Sequence, residues 1–532
     1  MTMLPRVIPM PDRKAALVEG LADHLGRHRE SYFAVCLVLA ALVPVLAVKL
    51  PPMADLLGHM GRYSIQTDLE QHPWLKQYYG FEWQVIGNLG TDLLVELLHP
   101  FYGVETSVRL IVILNQLLAA AAVIALCREV HGRVTSFCLL ALPLIYSLPF
   151  NYGFLNYTLS MALALLAFVL WLRLTRLGHV RLRQCVFVPV GLAVWTCHAY
   201  GWAFLGLLCT ASCMVRSHEA GRRWPLILWD TGLNCLPLLA PVIPMLLWRG
   251  EDGGGDTTGW FQLLGKLLWL QWMLRLDWEI FDKVSAILLL SISLFGIAGN
   301  RIPSNKSISL AAWACFLAFI LMPIGIFGSY YADMRLAPYA VMLALLALDD
   351  GQFDSGPRRW LMAAAALFLV GRLATTTAVY VERERVLDAH LEALETIPER
   401  ARVASLVLLP CPTDWELPWL SHVGGMAVAR RHAFSNDQWA EPGMNPLTIS
   451  YPEAGDFERA PSSITYPERC KPPGVQMGAA VASLPKAAFT HVWIVGIPAQ
   501  QIPRPEGSTV VWRGRDSAVF GFDRVSPGAD SR

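Results

Sequence analysis

Residues Pro51 to Arg62 read PPMADLLGHMGR, and their setting decides the fold. An apolar run over 31–50 ends directly in Pro51 and Pro52. Proline lacks an N–H and fixes its own backbone angle, so the pair stops one helix and sets the start of another. Asp55 and His59 stand at i, i+4, and His59 and Arg62 at i, i+3. On a helix the three side chains share one face. A carboxylate, an imidazole and a guanidinium therefore meet where the chain leaves an apolar span. That placement suits either a polar helix end at lipid headgroups or a site in which Asp55 takes a proton and a cation binds phosphate.

The rest of the chain supports a membrane setting. Of 532 residues, 54% are hydrophobic and only 16% charged, against roughly 25% charged in soluble domains. The charge deficit is concentrated in long apolar segments, the mark of a polytopic membrane protein. The net charge of +1 gives no global field for nucleic acid. The polar, basic arm before residue 31 and the length of the first apolar run point to an uncleaved first helix.

Candidate spans are 31–50, 107–127, 134–149, 154–172, 184–199, 201–215, 225–248, 284–299, 308–328, 336–349 and 360–380, about eleven in all. Basic residues mark cytoplasmic loops. They fall in the N-terminal arm (Arg6, Arg13, Lys14, Arg27, Arg29) and in every second loop after it: Arg128 and Arg133, then Arg173 to Arg183, then Arg216 to Arg223, then Arg301 and Lys306, then Arg358 and Arg359. The same parity places the first loop 51–106, the turns at Asn151, His198 and Asp333, the loop 249–283 and the tail 381–532 on the opposite, periplasmic side. Segment 261–275 is read as an interfacial helix, since a span there would reverse the later loops.

Within the first loop, Val85 to Leu98 is expected to form an amphipathic surface helix, with Val85, Ile86, Leu89, Leu93 and Leu97 on one side and Asn88, Asp92 and Glu96 on another. Before it lie Trp74, Tyr78, Tyr79, Phe81 and Trp83, which suit either membrane anchoring or stacking against a sugar. The tail shows strand patterns at 402–409 and 491–497, with a hairpin at 509–513 and 517–522. These fit a soluble α/β domain of ordinary size. Nine cysteines lie in or beside apolar segments and read as packing residues. Cys411 and Cys470 lie in the tail and would be able to pair outside the cytoplasm.

Other candidate site residues are Asp333 and Arg335 in YADMR, His198 in CHAYG, Asn151 and Asn156 in NYGFLNY, and Arg372 inside the last span. Arginine suits a phosphate contact, and a mid-membrane charge faces a cavity or a partner. Asp230 sits near an interface, and EDGGGD at 251–256 reads as a flexible loop. There is no Walker loop, dinucleotide fingerprint, HExxH or GxSxG, which removes support for nucleotide-driven transport and serine hydrolysis.

With PPMADLLGHMGR, NYGFLNY, CHAYG and YADMRLAPY together, the chain resembles the integral-membrane glycosyltransferases of the GT-C class. The resemblance implies a GT-C-like transmembrane domain over 1–380 and a periplasmic α/β domain over 381–532, in a bacterial inner membrane. It implies hexosyl or pentosyl transfer from a polyprenyl-phosphate-linked sugar to a periplasmic lipid, glycan or protein. Asp55 would be the base, and Arg62, Arg335 and Arg372 the candidate phosphate contacts. His59, His198 and Asp333 would support the site, and Trp74, Tyr78, Tyr79 and Trp83 would bind the acceptor. Many class members carry two neighbouring acidic residues in the first loop, whereas Asp55 is flanked by Ala54 and Leu56. Asp68 or Glu70 would have to fold back to supply a second carboxylate for a divalent metal such as Mg or Mn. The rival readings are a lipid or glycan flippase or transporter, and a non-catalytic envelope assembly protein.

Overall fold

The computed structural model describes residues 28–248, 257–299, 302–326, 330–441 and 443–522. The N-terminal arm with Arg6, Arg13, Lys14 and Arg27, the EDGGGD segment and Arg301 lie outside the described residues. Every one of the expected apolar stretches is helical over most of its length. Among the described residues, six helices are long and apolar enough to cross a membrane, including Gly90–His131, Leu155–Arg176, Ala199–Glu219 and Glu279–Ala298. Shorter apolar helices cover Ser136–Asn151, Lys306–Leu321 and Ala337–Ala347. Prolines explain several of the short pieces: Pro143 and Pro149 divide one stretch, and Pro237 divides the stretch that begins at Trp224. Ala337–Ala347 is buried along its whole length, so its uniform apolarity reflects packing among other helices.

The surface helix begins at Gly90, later than its apolar pattern suggests. Ile86 and Leu89 are buried in the loop before it, while Leu93 and Leu97 are exposed on its outer side as expected. Pro100 and the non-helical Gly103 (φ 70°) divide Gly90–His131 into this surface arm and the following long apolar helix. The segment read as interfacial is a helix over Leu263–Trp272. It exposes Leu263, Leu264 and Leu267 and turns Lys266 inward.

The tail carries a six-stranded sheet. Its strands are β2 (Arg402–Leu408), β3 (Phe434–Ser435), β5 (Ile464–Thr465), β6 (His491–Val495), β7 (Ser508–Arg513) and β8 (Ser517–Phe522). The order is β3-β2-β6-β8-β7, with β5 also on β2. β2 pairs in parallel with β3, β5 and β6, and β7–β8 is an antiparallel hairpin. Burial at most positions of β2, β6 and β8 explains their near-continuous apolar runs. Cys411 and Cys470 are joined in a disulfide.

First loop and tail are built as one unit. β1 (Tyr79–Phe81) pairs antiparallel with β4 (Leu447–Ile449). Tyr78 packs edge-on against Tyr451, and Tyr79 stacks on Phe434. Each such buried aromatic contributes on the order of 1.5–3 kcal/mol. The tail also reaches the membrane-side helices: Arg275 donates to the carbonyls of Asp414, Trp415 and Glu416, and Arg383 bridges Asp277 and Glu416.

Candidate functional site

Asp55 is set in place by the turn that the sequence marked as NYGFLNY. Its N–H donates to the Tyr152 carbonyl at 2.9 Å, and the Ala54 N–H donates to that of Asn151 at 3.1 Å. Gly153 adopts φ +93°, a conformation open to glycine, and a Cβ there would stand 3.3 Å from the Asp55 Cβ. From the other side, Glu384 accepts from the N–H of Lys49 and Leu50, fixing the exit of the first helix. Asp55 is the N-cap of Leu56–Asp68, yet its side chain makes no capping bond. The carboxylate instead points into a cavity of about 290 Å³, near the lower end for ligand pockets.

Asp55, His59 and Arg62 all line this cavity, as their shared face implies, and His198, Arg335 and Asn156 join them. His198 accepts from the Tyr200 N–H at 3.1 Å. The Arg335 guanidinium lies 4.5 Å above the Phe154 ring, with Tyr157 and Tyr200 also beside it. Asn156 donates to the Asn88 carbonyl at 2.7 Å and to Asp92 at 3.2 Å, tying the surface arm to the Leu155–Arg176 helix.

Several expectations change. Arg62 is paired with buried Asp92, so its charge is already compensated. Asp333 does not line the cavity; it pairs with Lys266 at 2.8 Å, both side chains about 1% exposed. Arg372 is likewise away from the cavity lining and pairs with Asp282 at 2.6 Å. Its mid-helix charge is answered by a structural partner. None of Trp74, Tyr78, Tyr79 or Trp83 lines the cavity. Tyr78 and Tyr79 are buried against the tail, Trp74 packs on Tyr78, and Trp83 lies against Phe81. Tyr78 and Tyr79 hold the first loop to the tail.

The tail supplies residues that local sequence patterns did not reveal. Trp439, Glu441, Met444 and Asn445 form one wall of the cavity. Behind Asp55 stands His422, with Nε2 3.9 Å from the Asp55 carboxylate and Nδ1 3.1 Å from that of Asp437. Close approach is possible because glycines face each other. Gly58 and Gly61 on Leu56–Asp68 meet Gly425 at the start of the tail helix Gly425–Arg431. A Cβ on Gly425 would stand 2.4 Å from the Leu57 carbonyl oxygen, and one on Gly58 would stand 2.4 Å from the Trp439 ring. Ser421 Oγ donates to the Ala54 carbonyl at 2.9 Å, and Gln438 donates to that of Gly58 at 3.2 Å.

Burial pushes the Asp55 carboxyl up to about 6, against the opposing pull of His422 and Arg335. Burial, with Arg62 and His422 nearby, holds His59 well below the usual imidazole range. Burial also acts downward on His422, but the charge and hydrogen bond of Asp437, with Asp55, raise it overall. The cavity therefore joins a carboxylate poised near neutrality, a neutral imidazole, a guanidinium and several aromatic and amide side chains. Asp68 bonds Ser64, Thr67 and His432, Glu70 pairs with Lys76, and neither lines the cavity with Asp55. Among the described residues, no group of three or more His, Cys, Asp or Glu is placed to hold a metal ion.

No family model matches the chain, and no curated protein matches it. Among solved structures, the chain is similar to ArnT from Cupriavidus metallidurans bound to undecaprenyl phosphate, at 12% identity and TM-score 0.46, covering 94% of this chain and 100% of that one. It is also similar to the apo form of that protein, at 12% identity and TM-score 0.45, covering 92% of this chain and 98% of the other.

Proposed function

We propose that the protein is a membrane glycosyltransferase that moves a sugar from a polyprenyl-phosphate donor to a hydroxyl-bearing acceptor, with Asp55 as general base. The observation that carries this reading is one cavity lined by both Asp55 and Arg335. Asp55 takes the proton of the acceptor hydroxyl as its oxygen bonds to the anomeric carbon. The bond from that carbon to the donor phosphate oxygen breaks, and polyprenyl phosphate leaves with the electron pair. Arg335 stabilises the charge that develops on the leaving phosphate. Asn88, Asn156 and Asn445 offer amide groups to sugar hydroxyls, and the ring of Trp439 offers an apolar face. The donor class follows from the resemblance carried by the four sequence motifs.

The tail is proposed to lie on the extracytoplasmic side of the membrane. The alternation of basic loops supports this, as does the Cys411–Cys470 disulfide, a bond that persists in oxidising compartments. Residues 1–380 then form the membrane part and 381–532 the soluble part. The acceptor enters from the same side.

The test is transfer from labelled polyprenyl-phosphate sugars by the purified protein in lipid nanodiscs. Asp55→Asn is expected to lower kcat by about 10²–10⁴-fold while the protein still inserts and elutes normally. Turnover close to wild type in that variant would refute the assignment of the base. Lipid movement without any sugar transfer would favour a flippase.

A further inference from the structure

His422 reaches Asp55 from the far end of the chain, and its surroundings fix its orientation. Asp437 is fully buried and accepts from Ser463 Oγ at 2.7 Å and from the Gly425 N–H at 3.2 Å, so its carboxylate is held on the Nδ1 side of the ring. The His422 ring also lies 4.4 Å from that of Trp439, a wall of the cavity. Nε2 is thereby directed at Asp55, 3.9 Å away. The arrangement is carboxylate, imidazole, carboxylate, assembled from two distant parts of the sequence.

We propose that His422 is a positioning residue for Asp55: clamped by Asp437, it stands as an imidazolium that holds the Asp55 carboxylate ionised and aimed into the cavity. Two carboxylates drawn out of water with no cation between them resist ionising together, and a cation placed between them removes that conflict. The tail then does more than cover the cavity; it sets the protonation state of a residue in the first loop. A packing role alone would leave His422 neutral and Asp55 indifferent to it.

Arg335 draws the Asp55 carboxyl toward its ionised form, and Tyr152 and Tyr331 line the same cavity. Arg62 and His422 both act on His59 and disfavour its charged form, and the His59 ring packs on Trp439, which also meets His422. Arg335 also favours the ionised carboxylate, so removal of His422 shifts Asp55 without abolishing its ionisation.

The imidazole coupling stands apart from the proposed transfer reaction, whereas the kinetic consequence rests on that reaction. The experiment therefore has two readouts. Full-length protein labelled with ¹⁵N-histidine in nanodiscs is titrated by NMR, and the His422 signal is assigned by its loss in His422→Gln, or in His422→Asn should the first variant not fold. At pH 7 both ring nitrogens of His422 are expected to be protonated. Asp55→Asn and Asp437→Asn should each lower its titration midpoint by roughly 1–3 pH units. A neutral His422 at pH 7, or a midpoint that neither variant moves, overturns the proposal.

The second readout is the pH profile of sugar transfer. In His422→Gln the acidic limb of kcat/KM should move to higher pH while the donor KM is retained. Transfer with an unmoved limb overturns the proposal and leaves the glycosyltransferase reading intact. A charged, coupled His422 in a wild-type protein that transfers no sugar sinks the glycosyltransferase reading and leaves the coupling standing.

Discussion

The seam between the first loop and the tail is expected to be intolerant of a single methyl group. In Gly425→Ala, the new Cβ would lie 2.4 Å from the Leu57 carbonyl oxygen and 2.8 Å from the Gly58 Cα. Ordinary contacts between such atoms lie near 3.5–4.0 Å, so the two helices must part by about 1 Å. Two effects oppose each other. Alanine favours the helical conformation by roughly 0.5–1 kcal/mol over glycine. Overpacking against backbone atoms costs about 1–3 kcal/mol, because backbone cannot rotate away as a side chain can. The second wins, and the movement falls on His422 and Trp439 beside Asp55. A displacement of about 1 Å at a reacting geometry costs on the order of 10²-fold in rate. Sugar transfer should therefore fall about 100-fold in Gly425→Ala, with a lower melting temperature in detergent and faster proteolysis of the tail. Gly478→Ala is the control. It lies in the helix Met477–Ser483, nothing stands within 4 Å of its Cβ position, and it should be neutral or slightly stabilising. Wild-type melting and turnover in Gly425→Ala would refute the seam.

Asp92→Asn should cost about 3–5 kcal/mol, because it leaves the Arg62 guanidinium buried without its counter-charge; an unchanged melting temperature would count against this, and replacing both partners by apolar residues should recover much of the loss. The rate of transfer should fall tenfold per pH unit below about 6, where Asp55 takes up a proton, and kcat/KM measured across pH 5 to 8 checks it. The sign for folding is opposite to that of an exposed, salt-bridged aspartate. The native state holds this proton more tightly than the unfolded chain, so Asp55 loses stability for the fold as pH rises from 3.8 to about 6.

What the sequence revealed follows how far each signal reaches. Strands at 402–408 and 491–495 and the hairpin after them carry their own apolar runs and turn residues, so they were legible locally. Asp55, His59 and Arg62 were legible because one helical face is a short-range fact. For Arg372 the sequence leaves open a cavity or a partner; the partner, Asp282, belongs to another helix, and no local pattern joins the two. The partner of Asp333 is hidden likewise, because Lys266 lies in a segment that reads as interfacial. His422, Asp437 and Trp439 lie in a stretch rich in turns, where no periodicity marks a face. The paired glycines Gly424 and Gly425, together with Gly58 and Gly61, were the trace they left. Glycine at such a spacing marks close backbone approach, though its partner cannot be read from one sequence. The aromatics of the first loop suit an anchor or a sugar surface by composition, and the partners of Tyr78 and Tyr79, Phe434 and Tyr451, lie too far along the chain to be read locally.

The glycine seam also carries a consequence for biogenesis. The first loop leaves the ribosome before the wall formed by Trp439, Glu441 and Asn445 has been made. A chain cut short after the helix Ser355–Leu391 would hold the six long apolar helices of the described residues and still present an open, unfinished cavity. The cavity is therefore completed by residues translated after the long apolar helices, and the helix Leu56–Asp68 has no counterpart for its glycines until Gly425 has been made.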